Sequence, residues 1–244
     1  MKSINEISFN GKKVFIRVDF NVPFNDSGEI TDNSRIVAAL PTIEYVLSNG
    51  GACILASHLG RPDRINPELS LRKIIPELKK LLSKDVIFLE DPIGYQTKET
   101  CSNLKKGQIV LLENLRFYKE ETKAEAGFAK ELSGLADIYI NDAYGTTHRE
   151  HASTATIAKF FSEKAPGILL EKEIKSLKKL MDKPKKPVTA IIGGAKVSSK
   201  ISVIANMLDV VDNLIIGGGM AYTFIKNNGG IIGCLLYTSD AADD

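Results

Sequence analysis

Val14-Phe15-Ile16-Arg17-Val18-Asp19-Phe20-Asn21 decides how this chain is read. A short β-branched and aromatic run that gives way to polar residues has the form of a strand buried on both faces and followed by a loop. The same form returns at Cys53-Ile54-Leu55, Val86-Ile87-Phe88-Leu89, Ile109-Val110-Leu111-Leu112 and Ile138-Tyr139-Ile140. Between these runs lie segments of helical period, Ile36, Leu40, Ile43 and Leu47 in one and Leu71, Ile74, Ile75, Leu78 and Leu82 in another, with Ser34 and Ser70 as capping residues. The alternation is βαβ and predicts an α/β domain on a parallel sheet. Pro41 and Pro76 fall inside two of the helices, where each costs roughly 3 kcal/mol unless it sits in the first turn or is absorbed by a kink.

A second alternation runs through Val188-Thr189-Ala190-Ile191-Ile192, a helix near Ser199 to Leu208, and Leu214-Ile215-Ile216-Gly217. It starts after Lys183-Pro184-Lys185-Lys186-Pro187, which reads as a domain boundary, and the helical segment Leu169 to Met181 before it reads as a connector. One βαβ unit cannot cover both faces of a parallel sheet, so the second domain is expected to be incomplete. Cys234-Leu235-Leu236-Tyr237-Thr238-Ser239-Asp240-Ala241-Ala242-Asp243-Asp244 continues neither a helix nor a strand and reads as a foreign junction, with a natural acidic tail as the alternative. The expected divisions are 1–167, a connecting helix and linker at 168–186, a second domain begun at 187–233, and a tail at 234–244.

With 244 residues, 43% of them hydrophobic and 25% charged, the chain has the composition of a soluble globular protein, which excludes collagen-like and disordered classes. A net charge of +2 without a clustered basic face argues against nucleic acid as a partner and favours small anions. Cys53, Cys101 and Cys234 are odd in number and lack metal-ligand spacing, which suits free thiols in a reducing cytoplasm. Neither a signal-peptide core nor a run of ~18 apolar residues occurs, so no targeting segment or membrane partner is expected.

Arginine is scarce, seven of 32 basic residues, and its placement is informative. Arg61, Arg116 and Arg149 each follow a strand-like run, and Arg35 follows another. Lysine supplies the solvated charge, leaving arginine for work that needs a planar, bidentate fork, such as gripping phosphate or carboxylate. Ligands of α/β sheets collect at the carboxyl ends of strands. There this chain offers Asp19 and Asn21, then His58 and Arg61, then Asn114 and Arg116, then Asn141, Asp142, His148, Arg149 and His151. Loops are polar in any case, so a solvated or capping role competes for each residue singly. The histidines come from different loops without zinc-site spacing, so no protein-held metal is expected. A serine-hydrolase reading fails because no G-x-S-x-G elbow occurs.

Gly193-Gly194-Ala195-Lys196-Val197-Ser198-Ser199-Lys200 follows a strand and opens a helix, where backbone N–H groups bind phosphate. Neither it nor Gly217-Gly218-Gly219 has Walker or G-x-G-x-x-G spacing, and tight strand-to-helix turns are the plain alternative.

Six motifs in order then resemble phosphoglycerate kinase: RVDFNVP at 17–23, SHLGRP at 57–62, LLENLRFY at 111–118, NDAYGTTHREHAST at 141–154, GGAKVSSKI at 193–201 and GGGMAYTF at 217–224. The resemblance implies a Rossmann-like, three-layer N-terminal domain for 3-phosphoglycerate or 1,3-bisphosphoglycerate, a hinge helix, and an incomplete second Rossmann-like domain for ADP or ATP with Mg2+. It implies a cytoplasmic enzyme of glycolysis and gluconeogenesis, monomeric when whole, that transfers a phosphoryl group reversibly between 1,3-bisphosphoglycerate and ADP. By matching motif, Asp19 and Asn21 would meet the glycerate, while Arg35, His58, Arg61, Arg116 and Arg149 would hold its carboxylate and phosphate. Arg35 and Lys196 would stabilise the transferring group. Lys200 would meet nucleotide phosphate, and Gly194, Gly217 and Gly218 would line the nucleotide side. The acidic group that holds magnesium in this family has no match here, so this length of chain is expected to lack turnover, and phosphoglycerate binding without catalysis is the alternative.

Overall fold

The computed structural model describes residues 2–182, 185–194 and 197–233. The chain divides into two compact units, Met1–Ile174 and Lys175–Asp244. In the first, β1 (Lys13–Arg17), β2 (Ala52–Ala56), β3 (Val86–Leu89), β4 (Ile109–Leu112), β5 (Ile138–Asn141) and β6 (Glu163–Pro166) form one sheet in the order β3-β4-β2-β1-β5-β6. Every neighbouring pair is parallel. The four inner strands β4, β2, β1 and β5 therefore deliver their carboxyl-terminal loops side by side.

Alternation along the strands divides their side chains between two cores. Val14, Ile16, Cys53, Leu55, Ile109, Leu111, Ile138 and Ile140 pack with Ile36, Ile43 and Val46 of α1 (Ser34–Ser48) and Leu78 of α2 (Ile75–Leu82). Phe15, Ile54, Val110, Leu112 and Tyr139 pack on the opposite face with Cys101 of α3 (Tyr95–Ser102) and with Phe128 and Leu132 of α5 (Ala126–Ser133). A four-residue helix, α4 (Lys119–Thr122), precedes α5. This is the three-layer α/β architecture that the buried runs imply, with both sheet faces covered.

Some local expectations change. Ser34 is the first residue of α1 rather than its cap; Asn33 occupies the cap position, and Asp32 Oδ1 accepts from the Ser34 N–H at 2.8 Å. Ser70 does cap, its Oγ accepting from Arg72 N at 3.2 Å, but it caps a 3-10 turn at Leu71–Ile74 that precedes α2. Pro76 falls in the first turn of α2, where the missing N–H has no intrahelical partner to lose. Pro41 lies within α1 and leaves the Val37 carbonyl without its usual donor. Strand β6, with the sequence Glu-Lys-Ala-Pro, was not expected; its charge and proline suit an edge position.

The connector is α6 (Ile168–Asp182), and the division between the units falls inside it. Its start is held by side chains of the first unit: Thr42 Oγ1 accepts from Ile168 N at 2.9 Å and Asp142 Oδ1 from Leu170 N at 3.1 Å. Gly167 must be glycine here, because a Cβ would lie 2.2 Å from Asp142 Oδ1.

The second unit pairs β7 (Thr189–Gly193) in parallel with β8 (Asn213–Gly217) and adds α7 (Ile201–Leu208) and α8 (Gly219–Asn227). Ile192, Ile204 and Met220 make a small core on one face. On the other, the register partners Ile191 and Ile215 are 74% and 52% exposed. The tail expected at 234–244 lies outside the described residues.

An open apolar face on a strand pair is a template for association. Replacing both Ile191 and Ile215 by lysine should raise the monomer fraction in analytical ultracentrifugation, and equal fractions for the two proteins would contradict this reading of the face.

Candidate functional site

The loops after β1, β2, β4 and β5 build one basic cluster. It starts at Arg17, the last residue of β1 and fully buried. Its Nε donates to Ser153 Oγ at 2.8 Å, its Nη1 donates to the Val18 carbonyl, and its Nη2 lies 3.3 Å from His58 Nδ1. Ser153 Oγ in turn donates to Glu121 Oε1 at 2.6 Å, and Ser153 N donates to Glu121 Oε2 at 2.9 Å. Glu121 is also fully buried, so a guanidinium and a carboxylate share the interior through one hydroxyl. Isolated buried charges are costly, and this bridge is what makes both tolerable.

Around this pair the loops interlock. Gly60, at φ +63°, donates its N–H to Asn21 Oδ1 at 2.8 Å, while its carbonyl accepts from Arg116 Nη1 at 2.7 Å. A left-handed residue suits that two-way exchange, and glycine adopts it without strain. Asn114 is fully buried; its Oδ1 accepts from Leu59 N and Arg116 N, and its Nδ2 donates to the Leu59 and Leu69 carbonyls. Asn114 thus clamps the β2 loop to the β4 loop. Arg35, on the first turn of α1, donates to Asp19 Oδ2 at 2.5 Å, and Asp19 Oδ1 accepts from Asn21 N at 3.2 Å. After β5, Ala152–Thr156 forms a π-helical turn, a feature frequent at functional sites.

The electrostatics are those of buried groups crowded by positive charge. Burial first, then Arg17 and Arg116, with His151 and Arg149 contributing after them, pushes His58 down to about 2. Burial and the same arginines lower His151 to about 4. Arg116 is drawn down to about 10 by burial and by Arg149, Arg17 and Arg61, against a smaller opposing pull from Glu121. Each of these shifts marks a group that an arriving negative charge would relieve. Arg116 Nε and His151 Nδ1 are buried without a hydrogen-bond partner among the described residues.

In the second unit, Gly194 and Gly218 meet at the carboxyl ends of β7 and β8. A Cβ on Gly218, at φ +65°, would lie 3.1 Å from Gly194 N and O, and the Gly194 carbonyl accepts from Met220 N at 2.9 Å. Lys200 Nζ donates to the Gly193 carbonyl at 2.9 Å, which carries its charge to the same strand end. Lys196 lies outside the described residues. Among the described residues no group of three His, Cys, Asp or Glu could hold a metal ion, and no helix is long and apolar enough to cross a membrane.

The family model for phosphoglycerate kinase matches residues 4–244. The chain belongs to the phosphoglycerate kinase family. It is 47% identical over 241 residues to the cytosolic phosphoglycerate kinase 3 of Arabidopsis thaliana, covering 99% of this chain and 60% of the relative. It is 49% identical over 245 residues to the phosphoglycerate kinase of Clostridium botulinum, covering 99% and 61%. The solved phosphoglycerate kinase of Coxiella burnetii superposes with a TM-score of 0.82 at 38% identity, covering 96% of this chain and 58% of that one. The chain therefore spans about 60% of the length of the relatives it matches.

The structure gathers His58, Arg61, Arg116 and Arg149 in one field and sets Asp19, Asn21 and Arg35 beside it. Asn114 and Asp142, read from sequence as part of the rim, turn inward instead, one to clamp loops and the other to hold the start of α6, where burial raises its carboxyl above the usual range. Arg17, Ser153 and Glu121 went unread. Arg17 was accessible as the one arginine lying inside a strand-like run, whereas Glu121 sits in Lys119-Glu120-Glu121-Thr122-Lys123, which looks like solvated surface.

The depressed histidines fix the sign of a pH effect. An unfolded chain protonates His58 near 6.5 while the folded chain keeps it neutral down to about 2, so its contribution to stability is whole above pH 6.5 and drains as pH falls below it. Between pH 6.5 and 4, urea unfolding of His58→Gln should lose less stability than the unmodified chain, by up to about 1.4 kcal/mol per pH unit. Parallel pH profiles for the two proteins would contradict a buried neutral His58.

Proposed function

We propose that this chain carries the phosphoglycerate-gripping part of a phosphoglycerate kinase, which transfers a phosphoryl group reversibly between 1,3-bisphosphoglycerate and ADP to give 3-phosphoglycerate and ATP. The observation that carries the reading is the basic cluster at the strand ends, in which Arg17, Arg116 and Arg149 act on the buried His58, Arg149, Arg17 and Arg61 act on Arg116, and Arg116 Nε is buried without a hydrogen-bond partner among the described residues. A small ligand bearing a phosphate and a carboxylate supplies the charge this cluster lacks. Arg61, Arg116 and Arg149 hold those groups with bidentate forks, His58 donates to them, and Asp19 and Asn21 receive the hydroxyl and orient the glycerate.

Phosphoryl transfer of this kind needs no general base, because the attacking carboxylate is already ionised. Its rate comes from alignment and from cationic groups beside the oxygens of the migrating group. We assign that part to Arg35 and to Lys196, and the nucleotide side to Gly194, Lys200, Gly217 and Gly218. Magnesium travels with the nucleotide phosphates in this reading, since the described residues offer no group of three His, Cys, Asp or Glu to hold it. A cytoplasmic monomer without nucleic-acid or membrane partners completes the proposal.

Calorimetric titration at fixed salt tests it. 3-Phosphoglycerate should bind saturably, and Arg116→Ala should weaken binding about tenfold or more, since hydrogen bonds to charged groups are worth about 1.5–3 kcal/mol. A separate MgATP titration reads the second unit. Equal affinity in Arg116→Ala, or no saturation with phosphoglycerate, would contradict the proposal.

A further inference from the structure

Arginine carries hydrogen-bond donors and no acceptor, whereas a neutral imidazole has one nitrogen of each kind. Where Arg17 Nη2 meets His58 Nδ1 at 3.3 Å, Nδ1 must therefore be the acceptor and the ring proton must sit on Nε2. The arginine is not free to turn away. It is fully buried, and its Nε is tied to Ser153 Oγ at 2.8 Å. That hydroxyl donates to Glu121 at 2.6 Å, and the backbone N–H of the same serine holds the second carboxylate oxygen. The Tyr139 hydroxyl, on β5, donates to the Ser153 carbonyl at 2.9 Å and fixes the serine from the sheet side.

We infer that Arg17 is a positioning residue, which Glu121 and Ser153 hold in place and which locks His58 in the tautomer whose Nε2–H donates to the bound anion. The ring nitrogen left for a ligand is then a neutral donor. The opposite tautomer would leave Nε2 an acceptor, its lone pair facing a phosphate or carboxylate oxygen. Fixing a histidine's donor through a partner on the other nitrogen is the device that buried carboxylates serve elsewhere. Here the partner is a cation. A carboxylate at that position would accept from Nδ1–H and impose the wrong tautomer, which explains why the buried acid stands one hydroxyl away and not against the ring. The same choice adds Arg17 to the positive field while keeping its charge balanced by Glu121.

This inference deepens the proposed function where it concerns the anion, but its first readout needs no ligand. Long-range proton–nitrogen spectra of the imidazoles, taken on the unmodified chain at neutral pH and assigned with His58→Gln, should show His58 with a proton-bearing Nε2 and a bare Nδ1. A proton on Nδ1 of His58 overturns the inference. The double variant Arg17→Met with Glu121→Gln removes both buried charges together and keeps their approximate volume. It should lose the single-tautomer pattern and bind 3-phosphoglycerate at least fivefold more weakly. If it fails to fold, Ser153→Ala, which cuts the tether and keeps both charges, carries the same comparison. A folded variant that retains a pure Nε2–H tautomer overturns the inference as well. Failure of the unmodified chain to bind phosphoglycerate, with the tautomer as expected, counts against the proposed function alone.

Discussion

A guanidinium with no access to water has to be answered by the protein, and the arrangement of the first unit follows from how Arg17 is answered. Its carbon chain leaves the end of β1, the middle of the inner strands, so its partners must come from the loops of neighbouring strands. The β2 loop supplies His58, the stretch after β5 supplies Ser153, and α4 supplies Glu121. These three segments are thereby pinned to a single point. Asn114 performs a neutral version of the same task between the β2 and β4 loops. A site that must hold several arginines within each other's field cannot be left to flexible loops, because they would spread to relieve repulsion. The buried bridge and the asparagine clamp oppose that spreading, while burial first and the neighbouring arginines second lower His58, His151 and Arg116.

Much of this was legible in the residues. Parallel strands buried on both faces must be apolar throughout, so β1, β2, β4 and β5 stood out as apolar runs, as did the edge strand β3 despite its exposed Ile87, and Arg61, Arg116 and Arg149 lie beyond β2, β4 and β5. Edge strand β6 did not, because a strand with one neighbour and partial exposure tolerates Lys164 and Pro166. Polar residues at strand ends proved ambiguous for a physical reason: Asn141 Oδ1 accepts from Ala143 N, and Asp142 holds the start of α6, work that loops demand wherever chains turn. Burial of Glu121 was invisible from its neighbours, since Lys119, Glu120 and Lys123 frame it as surface. Only the fold, by bringing Ser153 across 32 residues, gives that carboxylate its role.

The second unit is explained less by charge than by backbone proximity. A Cβ on Gly218 would lie only 3.1 Å from Gly194 N and O, tighter than ordinary contact, so the strand ends of β7 and β8 present main-chain groups rather than side chains, with Lys200 folded onto the same end. Such an edge suits phosphate held by N–H groups, and the bidentate arginines of the first unit suit phosphate and carboxylate held by side chains. The first unit thus presents side-chain cations at its strand ends and the second mostly main-chain groups.

The central claim is that the arginines after the inner strands act together on one small anion. Arginine side-chain Nε–Hε spectra recorded during a 3-phosphoglycerate titration test it most directly. Arg61, Arg116 and Arg149 should shift along one saturating curve while Arg64 and Arg72, the latter paired with Glu90, stay in place. Shifts that grow without saturation across all seven arginines would show only a general attraction of anions to positive charge and would contradict the claim.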